Sequence, residues 1–533
     1  MPLVNTLACT RRSAFERRSP TSEIGLGDYL DVAYSVLVDV GGTELPLILD
    51  TGSADLWTLS RKAPLPTGLP YYMDTAFQVV GVAANILYGD SRTGTQARGP
   101  IGYDSARITE FSLQSQYFAL VSSTNTSVTL TGSSGILGLG FPLNSVIWNT
   151  LVNARYSSQR RTTRFSNTSN GNGSNLATRV FPDLSFVVPP LEGKKDSLLR
   201  AIDSQDAVVA PTVEQVLETF SLYGPPVSRL SATGSLSAPM FSVSLQRDTF
   251  EIGGNAGSLT LGALPHGVNE SGVMWVNVRL YSPEQGGLAA PAASPHELYP
   301  LAWEIPVDDV YLDGQKLPRS NLSSSTLALT ALIDTGSSLV RGPQDVLSAI
   351  YTILGSDTYP CAHAHTLAFS VGGRLFPVDP RDFGSQTYDD TPTICTPNLA
   401  PADTPAGGFL YSWSLGDPFL KGVLAAFYYG NLTYPSRDPP RVGLLSTVPT
   451  DADAHLVNAV DDATAAHVML PATMEPAPPG MSNASTTDAQ GVPQAAPGGR
   501  NQPLASAATK RPPPPLMLAI IFSMWAVWAL LLS

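Results

Sequence analysis

The tetrapeptide Asp-Thr-Gly-Ser occurs twice in this chain, each time behind an apolar, strand-like run. The first copy sits in LILDTGSADLW at 47–57, and the second in ALIDTGSSLV at 331–340. A given tetrapeptide is expected in a chain of 533 residues with a probability of about 1%. Two copies in matching contexts therefore point to an internal duplication. Each copy is also followed, at comparable spacing, by a short element ending in glycine: Ile136-Leu137-Gly138 and Ser414-Leu415-Gly416. Such a chain folds as two lobes with the same internal order.

Paired Asp-Thr-Gly-Ser loops make chemical sense. Gly52 and Gly336 allow a tight turn and a close backbone approach, so Asp50 and Asp334 can meet at strand ends. Thr51, Ser53, Thr335 and Ser337 supply hydroxyls to hold the carboxylates and their loops. Two carboxyls a few Å apart do not both ionise cheaply, so the pair shares a proton. Such a pair takes a proton from water on one side and donates one on the other. That is peptide-bond hydrolysis without metal, cofactor or covalent intermediate. A two-acid glycoside hydrolase would also use paired carboxylates, but it gives no reason for identical contexts in two lobes. The sequence holds no GxSxG elbow and no HExxH motif. Cys361, His363 and His365 alternate as a metal trio could, yet they read better as surface or satisfied residues.

The surrounding texture is mostly β. YSVLVDVGGTELPLILD, from Tyr34 to Asp50, reads as a hairpin about a Gly-Gly turn. Long helical patterns are scarce, and Asp196–Ala210 and Val213–Tyr223 are the best candidates. Residues 157–178 and 281–300 read as exposed insertions, and 446–515 as a Pro/Ala/Thr-rich stalk. With Lys+Arg 31 against Asp+Glu 44, the net charge of −13 carries no basic footprint for nucleic acid. Three cysteines leave room for one disulfide.

On these motifs the chain resembles the pepsin-like aspartic endopeptidases (peptidase family A1) across roughly 30–445, and its tail resembles that of the GPI-anchored fungal members. Trp57 completes the family's DTG(S)xxLW pattern, and Tyr88-Gly89-Asp90 matches the start of its flap, a hairpin that closes over substrate. The resemblance implies that Tyr88 hydrogen-bonds toward Trp57 and lines the first specificity pocket, with Ile48 and Ile136 beside it. GILGLGF at 135–141 and SWSLGDPFLKG at 412–422 match the segments behind the two aspartates, and Cys361 and Cys395 fall where the family has its C-lobe disulfide. Three departures stand out: a longer flap carrying Arg92 and Arg98, Ser133 and Ser134 in place of apolar and acidic residues, and no N-lobe disulfides. The two serines imply a more polar first pocket.

The ends speak to location. Leu516–Leu532 is seventeen uncharged residues, preceded by the small triplet Ser506-Ala507-Ala508 and the spacer Thr509–Pro515. This is the pattern of a GPI-anchor signal, with a short membrane-spanning tail as the alternative. Seven N-x-Ser/Thr sequons, at Asn125, Asn167, Asn172, Asn269, Asn321, Asn431 and Asn483, also suit the secretory route. Residues 1–27 look irregular and contain no signal peptide, so the true leader is expected to lie outside this sequence.

These readings combine into a mostly β, bilobal, pepsin-like acid protease fold with its cleft between two related lobes. The N-terminal lobe is placed at 28–300, the C-terminal lobe at 301–445, and an anchor signal at 516–533. Asp50 and Asp334 are the expected catalytic dyad of an acid-active endopeptidase, and a catalytically silent surface protein binding peptide or glycan is the alternative. The expected partners are extended polypeptides and a membrane, reached through the tail or a GPI lipid, with no nucleic acid and a monomeric chain. The expected location is the cell surface, at plasma membrane or cell wall, or secretion.

Overall fold

The computed structural model describes residues 21–28, 33–63, 69–88, 95–158, 211–246, 257–323, 327–388, 391–402, 411–467, 470, 485–487 and 493–495. Gly89, Asp90, Arg92, the sequons at Asn167, Asn172 and Asn483, the helical pattern 196–210, the insertion beyond 158 and the tail 516–532 lie outside them.

The expected mostly β, two-lobed architecture is observed. The hairpin forms as read: Tyr34–Val40 pairs with Thr43–Asp50, and Gly41 and Gly42 take the positive φ of its turn. Val36, Val38 and Val40 put alternate side chains into the core. In Thr43–Asp50 every side chain from Leu45 onward is buried, which marks a strand covered on both faces. The N-terminal lobe adds seven further strands to this pair in one sheet.

Both lobes carry the same three-strand floor. In the first, Thr43–Asp50 runs parallel to Gly135–Gly138, which is antiparallel to Leu56–Leu59. In the second, Thr330–Ile333 runs parallel to Trp413–Leu415, which is antiparallel to Val340–Gly342. A six-stranded sheet joins the chain's halves in the order Ser22–Gly25, Gly257–Leu261, Met240–Leu245, Val423–Tyr428, Arg441–Ser446, Met274–Asn277. From it Phe241 and Phe427, stacked at 4.7 Å, pack with Trp303, Tyr429 and Phe141. The Cys361–Cys395 disulfide is formed.

Three segments differ from expectation. Ser22–Gly25, placed in an irregular lead-in, is an edge strand of the six-stranded sheet, because Ile24 and Leu26 find apolar cover. Residues 281–300 are not simply exposed: Tyr281, Leu288 and Tyr299 are buried, and Leu280–Tyr281 pairs with Tyr299–Pro300. The stalk does not begin at 446. Ala452–Ala466 is a helix that packs on Pro380–Phe383 and Thr391–Pro397 through Leu456, Val460 and Ala463. Its Ala-rich, acidic composition resembles a linker, and only the spacing of Leu456 and Val460 signals the buried stripe. The second helical pattern, Val213–Tyr223, appears as two short helices, Val213–Glu218 and Phe220–Tyr223.

Burying Leu456 and Val460 stabilises the fold by about 2 kcal/mol per side chain. A chain ending at Thr447 should therefore unfold about 5 °C or more below the full chain in a thermal melt. An unchanged Tm would return this segment to the stalk.

Candidate active site

The two Asp-Thr-Gly-Ser loops leave the ends of the parallel floor strands and interlock. Thr51 Oγ1 donates to the carbonyl of Ile333 (2.8 Å), and Thr335 Oγ1 donates to that of Leu49 (2.7 Å). Each hydroxyl also accepts the other threonine's backbone N–H, both at 3.0 Å. Both threonines are buried.

The interlock places each aspartate over the other lobe's glycine. A Cβ built on Gly52 would lie 2.3 Å from Asp334 Oδ1, and one built on Gly336 would lie 2.4 Å from Asp50 Oδ1. Only hydrogen fits at either position, so the two carboxyls are brought face to face. Asp50 is buried and Asp334 half-buried. Asp50 Oδ1 accepts the N–H groups of Gly52 (2.8 Å) and Ser53 (3.1 Å), and its Oδ2 accepts Ser53 Oγ (2.5 Å). Asp334 Oδ1 accepts the Gly336 N–H (3.0 Å), and Ser414 Oγ lies 3.4 Å from its Oδ2.

Other expected residues lie on the first floor and on the strand Gln78–Tyr88. Tyr88 ends the strand Gln78–Tyr88 of the flap hairpin, and its Oη accepts a 2.7 Å hydrogen bond from Trp57 Nε1. Ile48 and Ile136 are opposite each other on the first floor, and Ile136 is also opposite Trp57. His365 Nδ1 pairs with Asp313 Oδ2 at 2.7 Å, and Cys361 is in the disulfide, so the Cys361-His363-His365 alternation is structural.

Two serines behave differently from expectation. The Ser337 hydroxyl donates to the Leu339 carbonyl (3.0 Å), and the hydroxyl beside Asp334 Oδ2 is that of Ser414. Ser134 is buried and donates to the Pro70 carbonyl (2.5 Å), so its hydroxyl is spent on the backbone and does not polarise a pocket.

Sequence reasoning also missed the supports behind the dyad. The Leu139 N–H donates to the Asp50 carbonyl (2.8 Å), while the Leu139 carbonyl accepts Trp303 Nε1 (3.0 Å) and Tyr429 Oη (2.6 Å). Aromatic residues from the second half of the chain thus hold the segment behind the first aspartate. Asp55 accepts Ser145 Oγ (2.6 Å) and the N–H groups of Val146 (2.9 Å) and Ile147 (3.0 Å) at the start of the helix Val146–Ser158. Burial raises the Asp55 carboxyl above its ordinary range against those hydrogen bonds.

The sequence model described as "Eukaryotic aspartyl protease" matches residues 33–168 and 212–434, a span containing both loops and both floors. The chain belongs to this family. Its two-lobed β architecture is the pepsin-like fold, and family membership makes it a hydrolase of the aspartic-protease type. It is 21% identical over 449 residues to Major aspartyl peptidase 1 of Cryptococcus neoformans var. grubii, covering 79% of this chain and 71% of that one. It is 24% identical over 429 residues to an aspartic protease of Phaffia rhodozyma, covering 77% and 75%. Against the pregnancy-associated glycoprotein of Equus caballus it is 24% identical over 441 residues, covering 79% and 83%.

The reciprocal packing gives a direct test. Gly52→Ala forces a methyl group into Asp334 and should lower the cleavage rate of an unfolded protein substrate by about 10²-fold or more. Overpacking should also cost about 1–3 kcal/mol in a denaturant titration. Full activity in this variant would mean that the carboxyls do not need this approach.

Proposed function

We propose that the chain is an aspartic endopeptidase in which Asp50 and Asp334 activate a water molecule between them. The observation that carries this reading is the reciprocal placement of each carboxyl on the other lobe's glycine, which makes one site from two loops. One carboxylate takes a proton from the water as its oxygen attacks the scissile carbonyl carbon. The other, protonated, carboxyl donates to the carbonyl oxygen, giving a tetrahedral diol. Proton transfer to the amide nitrogen then lets the C–N bond break. Tyr88 covers the reacting carbon from the flap, held by Trp57. The substrate is a polypeptide lying extended across both floors. Because the pair must hold one proton between two facing acids, the working pH is acidic.

The test uses the full chain secreted behind a heterologous leader, with cleavage of an unfolded protein followed from pH 3 to 7. Cleavage should peak at acid pH and stop with pepstatin. Asp50→Asn or Asp334→Asn should lower the rate by about 10³-fold or more. A maximum above about pH 7, or activity that survives both substitutions, would overturn the mechanism. A well-folded chain with no cleavage would support the alternative, a silent protein that binds peptide or glycan.

We further propose that the protein travels the secretory route to the cell surface and carries a GPI lipid. The disulfide, the sequons and the tail pattern support this. Among the described residues no helix is long and apolar enough to cross a membrane. At Asn269, in an exposed sequon, Oδ1 accepts both the N–H (3.0 Å) and the hydroxyl (2.8 Å) of Ser271. The full chain in a yeast host should be released from cells by phosphatidylinositol-specific phospholipase C and should carry a glycan at Asn269. Retention after lipase treatment would favour a spanning tail, and an unmodified Asn269 would remove it as an acceptor.

A further inference from the structure

Asn431 stands apart among the described sequons. Asn125, Asn269 and Asn321 are exposed, whereas Asn431 is half-buried and lines a groove of about 500 Å³. That volume falls within the range of small-molecule sites, about 300–1,000 Å³. The groove runs between the helices Val213–Glu218, Phe220–Tyr223 and Pro226–Ala232 and the connection from Val423–Tyr428 to Arg441–Ser446. Leu217, Phe220, Leu236 and Leu432 give it a buried apolar floor. Glu218 and Ser231 line it as well, and neither side chain hydrogen-bonds to another described residue.

The connection holds the Asn431 side chain in one orientation. The Asn431 N–H donates to the Asp438 carbonyl (2.9 Å), and the Thr433 carbonyl accepts Tyr299 Oη (3.2 Å). Glu297, itself buried, accepts both the N–H (2.5 Å) and the hydroxyl (2.9 Å) of Ser436. On this fixed loop Asn431 Oδ1 accepts the N–H groups of Thr433 (3.0 Å) and Tyr434 (2.9 Å). The carboxamide is thus anchored through its oxygen alone, and no described residue accepts from Nδ2.

We propose that Asn431 carries an N-linked glycan whose first N-acetylglucosamine is seated in this groove as part of the fold. This rests on the reading of the chain as a secretory protein. The linkage forms between Nδ2 and C1 of the sugar as the C1–O bond to a lipid diphosphate donor breaks. Nδ2 gives up one proton, and the lipid diphosphate departs with the bonding pair. Oδ1 is untouched, so the turn at Asn431 keeps both of its hydrogen bonds. A pyranose has an apolar C–H face and a rim of hydroxyls. The face packs on the floor of Leu217, Phe220 and Leu236, and the rim and acetamido N–H meet the Glu218 carboxylate and the Ser231 hydroxyl. The sugar thereby ties segment 213–236 to segment 430–433 and takes apolar surface out of water.

The test uses the full chain made in a yeast host, with site occupancy read by peptide mapping. Under native conditions peptide N-glycosidase should release the Asn269 glycan readily and the Asn431 glycan at least tenfold more slowly, and the two rates should converge after denaturation. Trimming with endoglycosidase H, which leaves the first sugar, should not change the Tm. The Thr433 hydroxyl makes no hydrogen bond to a described residue, so Thr433→Ala removes the sequon without touching the turn. That variant should melt about 2 °C or more below the wild type, and Thr433→Ser, which keeps the sequon, should melt with it. Ser231→Phe fills the groove and should make the Asn431 glycan as easy to release as that of Asn269. Release of both glycans at one rate from the native wild type would overturn the proposal, as would a Tm that falls on trimming to the first sugar. A chain glycosylated at Asn269 and bare at Asn431 would overturn this inference alone, whereas a chain bare at every sequon would overturn the secretory reading as well.

Discussion

The crossed hydrogen bonds of Thr51 and Thr335 are the constraint on which the site depends. Each hydroxyl donates to the carbonyl just before the other lobe's aspartate and accepts the other threonine's N–H. Six groups satisfy one another in four hydrogen bonds, with no side chain borrowed from elsewhere. A hydrogen bond of this kind contributes about 1 kcal/mol net, but removing one partner leaves a buried polar group unmade at about 1–3 kcal/mol. The lobes are therefore held in a single register at the point where the carboxyls meet. The close approach at Gly52 and Gly336 follows from that register.

The duplication is symmetric where it builds the floor and asymmetric where it meets the rest of the molecule. Thr51 and Thr335 are equivalent in every bond, whereas the serines that follow are not. Ser53 reaches Asp50 Oδ2, while Ser337 turns to the Leu339 carbonyl and leaves the contact with Asp334 Oδ2 to Ser414. Asp50 is buried among three hydrogen-bond donors and Asp334 is more open. Two chemically identical carboxyls thus sit in unlike surroundings.

Much of this was legible because it rests on local rules. The Tyr34–Asp50 hairpin is announced by β-branched alternation around Gly41-Gly42, and the dyad by its repeated tetrapeptide. The disulfide followed from family resemblance, not from residue spacing. What was not legible depends on distant partners. Ser22–Gly25 has too few residues to show a period, and it is a strand only because Gly257–Leu261 offers an edge. The segment 281–300 is rich in Pro, Gly and Ala, and nothing nearby tells that Leu288 and Tyr299 will be enclosed. The helix Ala452–Ala466 reads as linker until Pro380–Phe383 and Thr391–Pro397 meet it. Ser337 and Ser414 exchanged roles because hydroxyls follow the nearest acceptor, which periodicity does not encode.

The buried acids away from the dyad bear on the same question of pH. Glu304 is buried opposite Leu332, on the strand leading to Asp334, where it meets Arg279 (2.9 Å) and the Tyr281 hydroxyl. Burial raises its carboxyl above the ordinary range, opposed by the hydrogen bond with Thr330 and the charge of Arg279. Asp55 is raised by burial in the same direction. For an acid whose folded value lies above its unfolded one, the stabilising contribution is complete below the unfolded value and is lost as pH rises through the folded value. Both groups therefore favour the folded state at acid pH and penalise it as pH rises. They stand directly behind the elements that carry the site, Asp55 at the helix following the first floor and Glu304 beside the second. The packing that supports the two carboxyls is thus least strained by charge at acid pH, the range that the proposed proton-sharing mechanism needs.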